Sequence, residues 1–157
     1  MKAAEQFMQE AIRLAGENNT TGNGGPFGAV VVKDGKIIAC GHNEVTSTND
    51  PTAHAEIVAI RKACAALGTF QLDGCEIYSS CEPCPMCLGA IYWARPAKIY
   101  FAATRADAAA AGFDDSLIYQ EIALDHHQRL IPSEQILHGE ALHVFHTWST
   151  NASKIPY

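Results

Sequence analysis

The chain has 157 residues, 48% of them apolar and 18% charged, the size and make-up of one globular domain that can bury a core. Net charge is −6, and from Ala106 to Tyr157 the only cations set against seven carboxylates are Arg129 and Lys154, so no nucleic-acid partner is expected. No apolar run approaches the ~20 residues that cross a bilayer, and the first residues lack the apolar core of a secretory signal, so a cytoplasmic protein without membrane association is expected.

Phe7, Met8, Ala11, Leu14 and Ala15 recur at helical spacing and predict a first helix that ends ahead of the "NNTTGNGG" punctuation. The following "GAVVVKDGKIIACGHN" reads as two β-branched strands joined at Asp34-Gly35, a hairpin. "NDPTAHAEIVAIRKACAALG" predicts a second helix with Asp50 as N-cap, Pro51 in the first turn and Gly68 as its stop. A strand from Cys75 to Ser80, a helix over "PMCLGAIYWA" and a strand from Lys98 to Ala103 follow. A helix over Asp114–Ile122, a last strand at "EQILHG" and a last helix from Glu140 complete the chain. This order predicts a single α/β domain over residues 1–157, a three-layer α/β/α sandwich with a mixed five-stranded sheet.

Chemistry concentrates in two places. "PTAHAE" brings His54 and Glu56 to the start of the second helix, and "SSCEPCPMC" brings Cys81, Cys84 and Cys87 to the start of the third. Ligands in open α/β folds gather at helix N-termini over strand ends, so the two starts can share one site. Cys84 and Cys87 stand one helical turn apart, with both sulfurs on one side. In a reducing compartment, clustered cysteines more often bind metal than pair as disulfides. Two thiolates and an imidazole suit zinc, and three protein ligands leave a place for water, the mark of a catalytic site. A fourth ligand from Cys81 would instead close a structural site, but Cys81 precedes Glu82-Pro83, which holds the chain extended and turns its side chain away. Glu56 is placed to move protons for the metal's water. Cys40, Cys64 and Cys75 read as small core residues, and His126 and His127 as solvated.

His54-Ala55-Glu56 followed by Pro83-Cys84-Pro85-Met86-Cys87 matches the H-x-E…P-C-x-x-C signature of zinc nucleobase deaminases. With "GGPFGAVVVKDG", "NDPTAHAEIVAIRKAC", "SSCEPCPMCLGAIYWARP" and "AGFDDSLIYQEI", the chain resembles the bacterial guanine deaminases of the cytidine deaminase-like fold, from about Gly24 to Ile122. The resemblance implies one Zn2+ per chain on His54, Cys84 and Cys87, with Glu56 as the catalytic proton shuttle. The reaction it implies is hydrolysis of guanine to xanthine and ammonia. It carries substrate contacts over to Phe27, Asn43, the backbone of Ala55, Asp114 or Asp115, and the terminal Tyr157. It also implies a homodimer whose C-terminal helix and tail, residues 140–157, are exchanged between subunits. In "HTWSTNASKIPY" the Trp and final Tyr are kept, but Ile-Pro stands where charged residues are expected. Two other readings of the same residues are a related deaminase acting on cytosine, another amino-heterocycle or tRNA adenosine, and a non-catalytic zinc-stabilised interaction module.

Overall fold

The computed structural model describes residues 3–157. It divides into two compact units, one ending at Asp115 and one spanning Ser116–Tyr157.

The first unit opens with helix α1, Ala3–Thr21. Arg13 pairs with Glu10 and Glu17 at helical spacing on its exposed side, while Ala11, Leu14 and Ala15 are buried. Strands β1 (Gly28–Lys33) and β2 (Lys36–His42) form the expected hairpin. Asp34 and Gly35 both have positive φ, 48° and 72°, the backbone that a two-residue turn needs to match strand twist. A short helix α2 (Val45–Thr48) leads to α3 (Ala55–Leu67), β3 (Cys75–Cys81), α4 (Pro85–Ala94), β4 (Lys98–Ala103) and α5 (Arg105–Ala110).

The sheet order is β2-β1-β3-β4. β1 is antiparallel to β2 and β3, and β3 is parallel to β4, across the α4 crossover. Alternation along β1 sends Val30 and Val32 to one face with Leu14 and Tyr78, and Ala29 and Val31 to the other with Ala55, Ala59, Ile77 and Ile91. Helix α1 thus covers one side of the sheet and α3 and α4 the other, the three-layer arrangement expected. Two glycines set how closely the layers approach. A Cβ on Gly28 would stand 2.2 Å from the Ala11 carbonyl oxygen, and one on Gly41 would stand 2.3 Å from the Ala55 oxygen and 2.6 Å from the Ala59 nitrogen. Backbone therefore packs on backbone where α3 begins.

The second unit contains α6 (Ser116–Ile122), a 3-10 turn at His126–Gln128 and α7 (His138–Thr150). Arg129 closes α6, its guanidinium donating to the Glu121 and Leu124 carbonyls while Glu121 accepts from the Leu130 N–H.

Several expectations need correcting. The described residues form a four-stranded sheet: "EQILHG" is not a strand, because Leu137 has φ 52° and α7 already starts at His138. Helix α1 continues through Thr21, and α6 starts at Ser116 instead of Asp114. Asp50 does not cap α3. Its carboxylate accepts from the Thr52 N–H and hydroxyl in a local turn, and the N-cap is His54. The helices α2 and α5 were not anticipated. For α5 the signal was present, a capping box in which Thr104 and Asp107 exchange side-chain and backbone hydrogen bonds.

Candidate active site

Helices α3 and α4 both start at the site. His54 is the N-cap of α3 and Cys84 the N-cap of α4, each with extended backbone, and Pro85 occupies the first turn of α4. A residue at the N-cap projects beyond the helix end, so these two side chains meet although 30 positions separate them. His54 Nδ1 lies 3.6 Å from Cys84 Sγ and 3.5 Å from Cys87 Sγ. Zn–S of about 2.3 Å and Zn–N of about 2.05 Å in a tetrahedron put N and S roughly 3.6 Å apart, so the donors stand where the ion requires them. Among the described residues, His54, Cys84 and Cys87 are the group that could hold a metal.

The thiols behave as one coupled pair. A hydrogen bond from Cys87, aided by His54, lowers the Cys84 thiol to about 4, while the same bond and burial hold the Cys87 thiol high. A metal ligand must be a thiolate, so binding of a divalent cation displaces the protons these sulfurs carry. His54 is raised, chiefly by its contact with Cys84. Cys81 is outside the group, as expected: its S–H points to the Thr104 carbonyl at 3.6 Å, and burial pushes it up to about 11.

Glu56, the second residue of α3, is 6% exposed. Ser79 Oγ donates to its Oε1 at 3.2 Å, and Cys87 Sγ lies 3.5 Å from its Oε2. Burial raises its carboxyl above the ordinary range, with the Cys84 charge adding to the effect. A carboxyl so placed, beside the metal donors and reluctant to stay ionised, is suited to receive and release a proton.

Ala55, fully buried, is the first residue of α3, whose opening N–H groups have no partner within the helix. Asn43 is 5% exposed, and its Oδ1 accepts from the backbone N–H groups of Gly25 and Val45. The Asn43 N–H donates to the Phe27 carbonyl, tying the two together. Phe27 meets Phe113 edge to face, centroids 4.9 Å apart. Asp114 is exposed and Asp115 half-buried. Burial, and then the Cys84 charge, raises the Asp115 carboxyl. Tyr157 belongs to the second unit and is 71% exposed.

Ser79 and Phe113 escaped the reading of the sequence. Ser79 had a signal: period-two alternation puts it on the same face of β3 as Ile77, toward α3. Phe113 had none, since its partner lies 86 positions earlier.

The profile of the cytidine and deoxycytidylate deaminase zinc-binding region matches residues 1–103. The protein belongs to this zinc-binding deaminase family. The guanine deaminase of Bacillus subtilis (strain 168) is 58% identical over 153 residues, 98% of each chain. An X-ray structure of that B. subtilis protein superposes with a TM-score of 0.95, again over 98% of both chains. The tRNA-specific adenosine deaminase of Aquifex aeolicus (strain VF5) is 46% identical over 99 residues, 63% of this chain and 65% of its own. The deaminase family is zinc-binding, and the His/Cys/Cys donor set here fits one Zn2+ per chain. No helix among the described residues is long and apolar enough to cross a membrane.

Proposed function

We propose that the protein is a zinc-dependent guanine deaminase, hydrolysing guanine to xanthine and ammonia. The observation that carries this reading is the extent of the likeness: the B. subtilis guanine deaminase matches 98% of the chain, whereas the A. aeolicus tRNA deaminase matches 63%. The acidic C-terminal stretch also speaks against a tRNA substrate.

In this reading His54, Cys84 and Cys87 hold the zinc. Zinc held by these three side chains would supply a water acidified to a pKa of about 7, and so hydroxide at neutral pH. Glu56 accepts the proton of the attacking water and returns protons to the ring and to the amino group at C2, which leaves as ammonia. The Ser79 hydroxyl donates to one of the Glu56 oxygens and fixes the carboxylate between the two transfers. Phe27, braced by Phe113, stacks on the flat base. Asn43 and the Ala55 N–H meet ring acceptors, and Asp115 accepts from a ring N–H. Tyr157 closes over the bound base.

The working form is a homodimer in the cytoplasm, with residues 140–157 exchanged between subunits. In support, no residue of the second unit is buried, and Ile131 is 82% exposed. In the first unit Tyr92 is 76% exposed beside Trp93. Apolar surface on this scale calls for a partner. All six cysteines are free, in keeping with a reducing compartment.

The test is ammonia release from guanine, adenine, cytosine and tRNA, measured side by side on the zinc-loaded protein. Guanine is expected to be turned over fastest. No ammonia from guanine, with release from another of the four, overturns the proposal.

A further inference from the structure

We propose that Asn18 is a positioning residue for substrate recognition, a buried clamp that turns Asn43 so that it meets the purine only as a hydrogen-bond donor. The proposal rests on the assignment of Asn43 to the substrate.

Asn18 lies on α1, far in sequence from the zinc donors, and is 4% exposed. Its Nδ2 stands 2.8 Å from the Gly25 carbonyl and 2.8 Å from the Asn43 carbonyl. Two carbonyl oxygens at that distance require a donor, so both amide protons are committed. The Asn18 Oδ1 is used as well, accepting from the Thr21 hydroxyl at 3.4 Å. One buried amide thus ties together the end of α1, the loop leading to Phe27, and the residue after β2.

The consequence falls on the Asn43 side chain. Its Oδ1 sits between the N–H groups of Gly25 and Val45, at 3.3 and 3.1 Å. Two N–H groups converging on one atom identify it as the oxygen. Gly24 lies flat against this side chain, where a Cβ would come 2.2 Å from Oδ1. Flipping the amide would face its NH2 toward two donors and leave both without an acceptor, which a buried site resists. Among the described residues Nδ2 of Asn43 donates to none, so it is the group left for a ligand. An amide locked in this sense favours a purine edge carrying an acceptor, a carbonyl oxygen or an unprotonated ring nitrogen. It disfavours an amino group at the same place. Without Asn18 the Gly25 and Asn43 carbonyls lose their common donor, the loop relaxes, and Asn43 can turn.

The test is a double-mutant cycle on the zinc-loaded enzyme with guanine. Asn18→Ala should raise KM about tenfold or more, change kcat by less than about threefold, and leave one zinc per chain. In the Asn43→Ala background the same substitution should add less than about twofold, because its target is already gone. Multiplicative effects, or a fall in kcat and zinc content with KM unchanged, overturn the clamp. Asn43→Ala with normal KM would remove Asn43 from the substrate site and the proposal with it. A defective Asn43→Ala beside a normal Asn18→Ala overturns the clamp alone. Asn18→Asp keeps the side-chain size but lacks both donors, and should behave as Asn18→Ala does. A measurement needing no variant stands behind these. In the wild type both side-chain amide protons of Asn18 should exchange slowly with solvent, and exchange at the rate of a free amide overturns the proposal.

Discussion

Glu56 is buried, with one oxygen beside the Ser79 hydroxyl and the other beside Cys87, one of the three metal donors. Glu56→Gln keeps the size of the side chain and removes its ability to carry a proton. The variant should bind one zinc, as measured by atomic absorption, and lose about 10²–10⁴-fold in turnover. Turnover within threefold or so of wild type would end the shuttle role. The two aspartates before α6 can be separated in the same way. Asp115 is half-buried and feels the Cys84 charge, while Asp114 is exposed. Asp115→Ala should therefore lower kcat/KM for guanine by about 30-fold or more, the cost of stranding a substrate donor opposite a missing charge. Zinc content should not change. If Asp114→Ala has that effect instead, the two residues exchange roles.

Elements carry the site because of where they begin. The zinc donors His54 and Cys84 are both N-caps, and the start of α3 is set by backbone contact with β2 at Gly41. Gly41→Ala places a methyl against the Ala55 oxygen and Ala59 nitrogen, neither of which is a flexible side-chain end. Overpacking of this kind costs about 1–3 kcal/mol and here must push the first turn of α3 away. The melting temperature should fall, and zinc should be lost to a chelator at lower concentration than from wild type. An unchanged melting curve with undiminished zinc retention would show that α3 is positioned by other contacts. The hairpin, both donor-bearing helices and the parallel strand pair were legible because hydrophobic period, Asp-Gly and Pro are local signals. The donor set was legible because ligand spacing is local within each half. Asn18 and Phe113 were not singled out, since their partners lie 25 and 86 positions away, and Ser79 was passed over although strand alternation turns it toward α3. Asp50 misled because the carboxylate geometry that caps a helix also closes a tight turn. "EQILHG" misled because its apolar pair suggests a strand, while the left-handed backbone at Leu137 forbids one.

At the scale of the whole molecule the open question is what the C-terminal unit does for the reaction. Its surface is rich in exposed apolar groups, and it ends in Ile155-Pro156-Tyr157. Lys154 folds back on the Ser149 carbonyl and the Ser153 N–H donates to Asn151, so the residues before the terminus are held in a turn. An aromatic ring with a polar tip suits a cover that excludes water and still reaches a polar partner. Deleting Ile155–Tyr157 removes no residue of the first unit and none of the zinc donors. Zinc content and melting temperature should therefore stay near wild type, while guanine turnover falls about tenfold or more through loss of closure. Whether the cover acts on its own subunit is decided by mixing. The truncated chain has an intact Glu56 but no Tyr157; a Glu56→Gln chain has the reverse. If residues 140–157 are exchanged, unfolding and refolding the two together should restore turnover above the sum of the separate chains. It should do so only in the heterodimer isolated by differential tags. No restoration would place the tail over its own subunit, and unchanged kinetics on truncation would remove Tyr157 from the site.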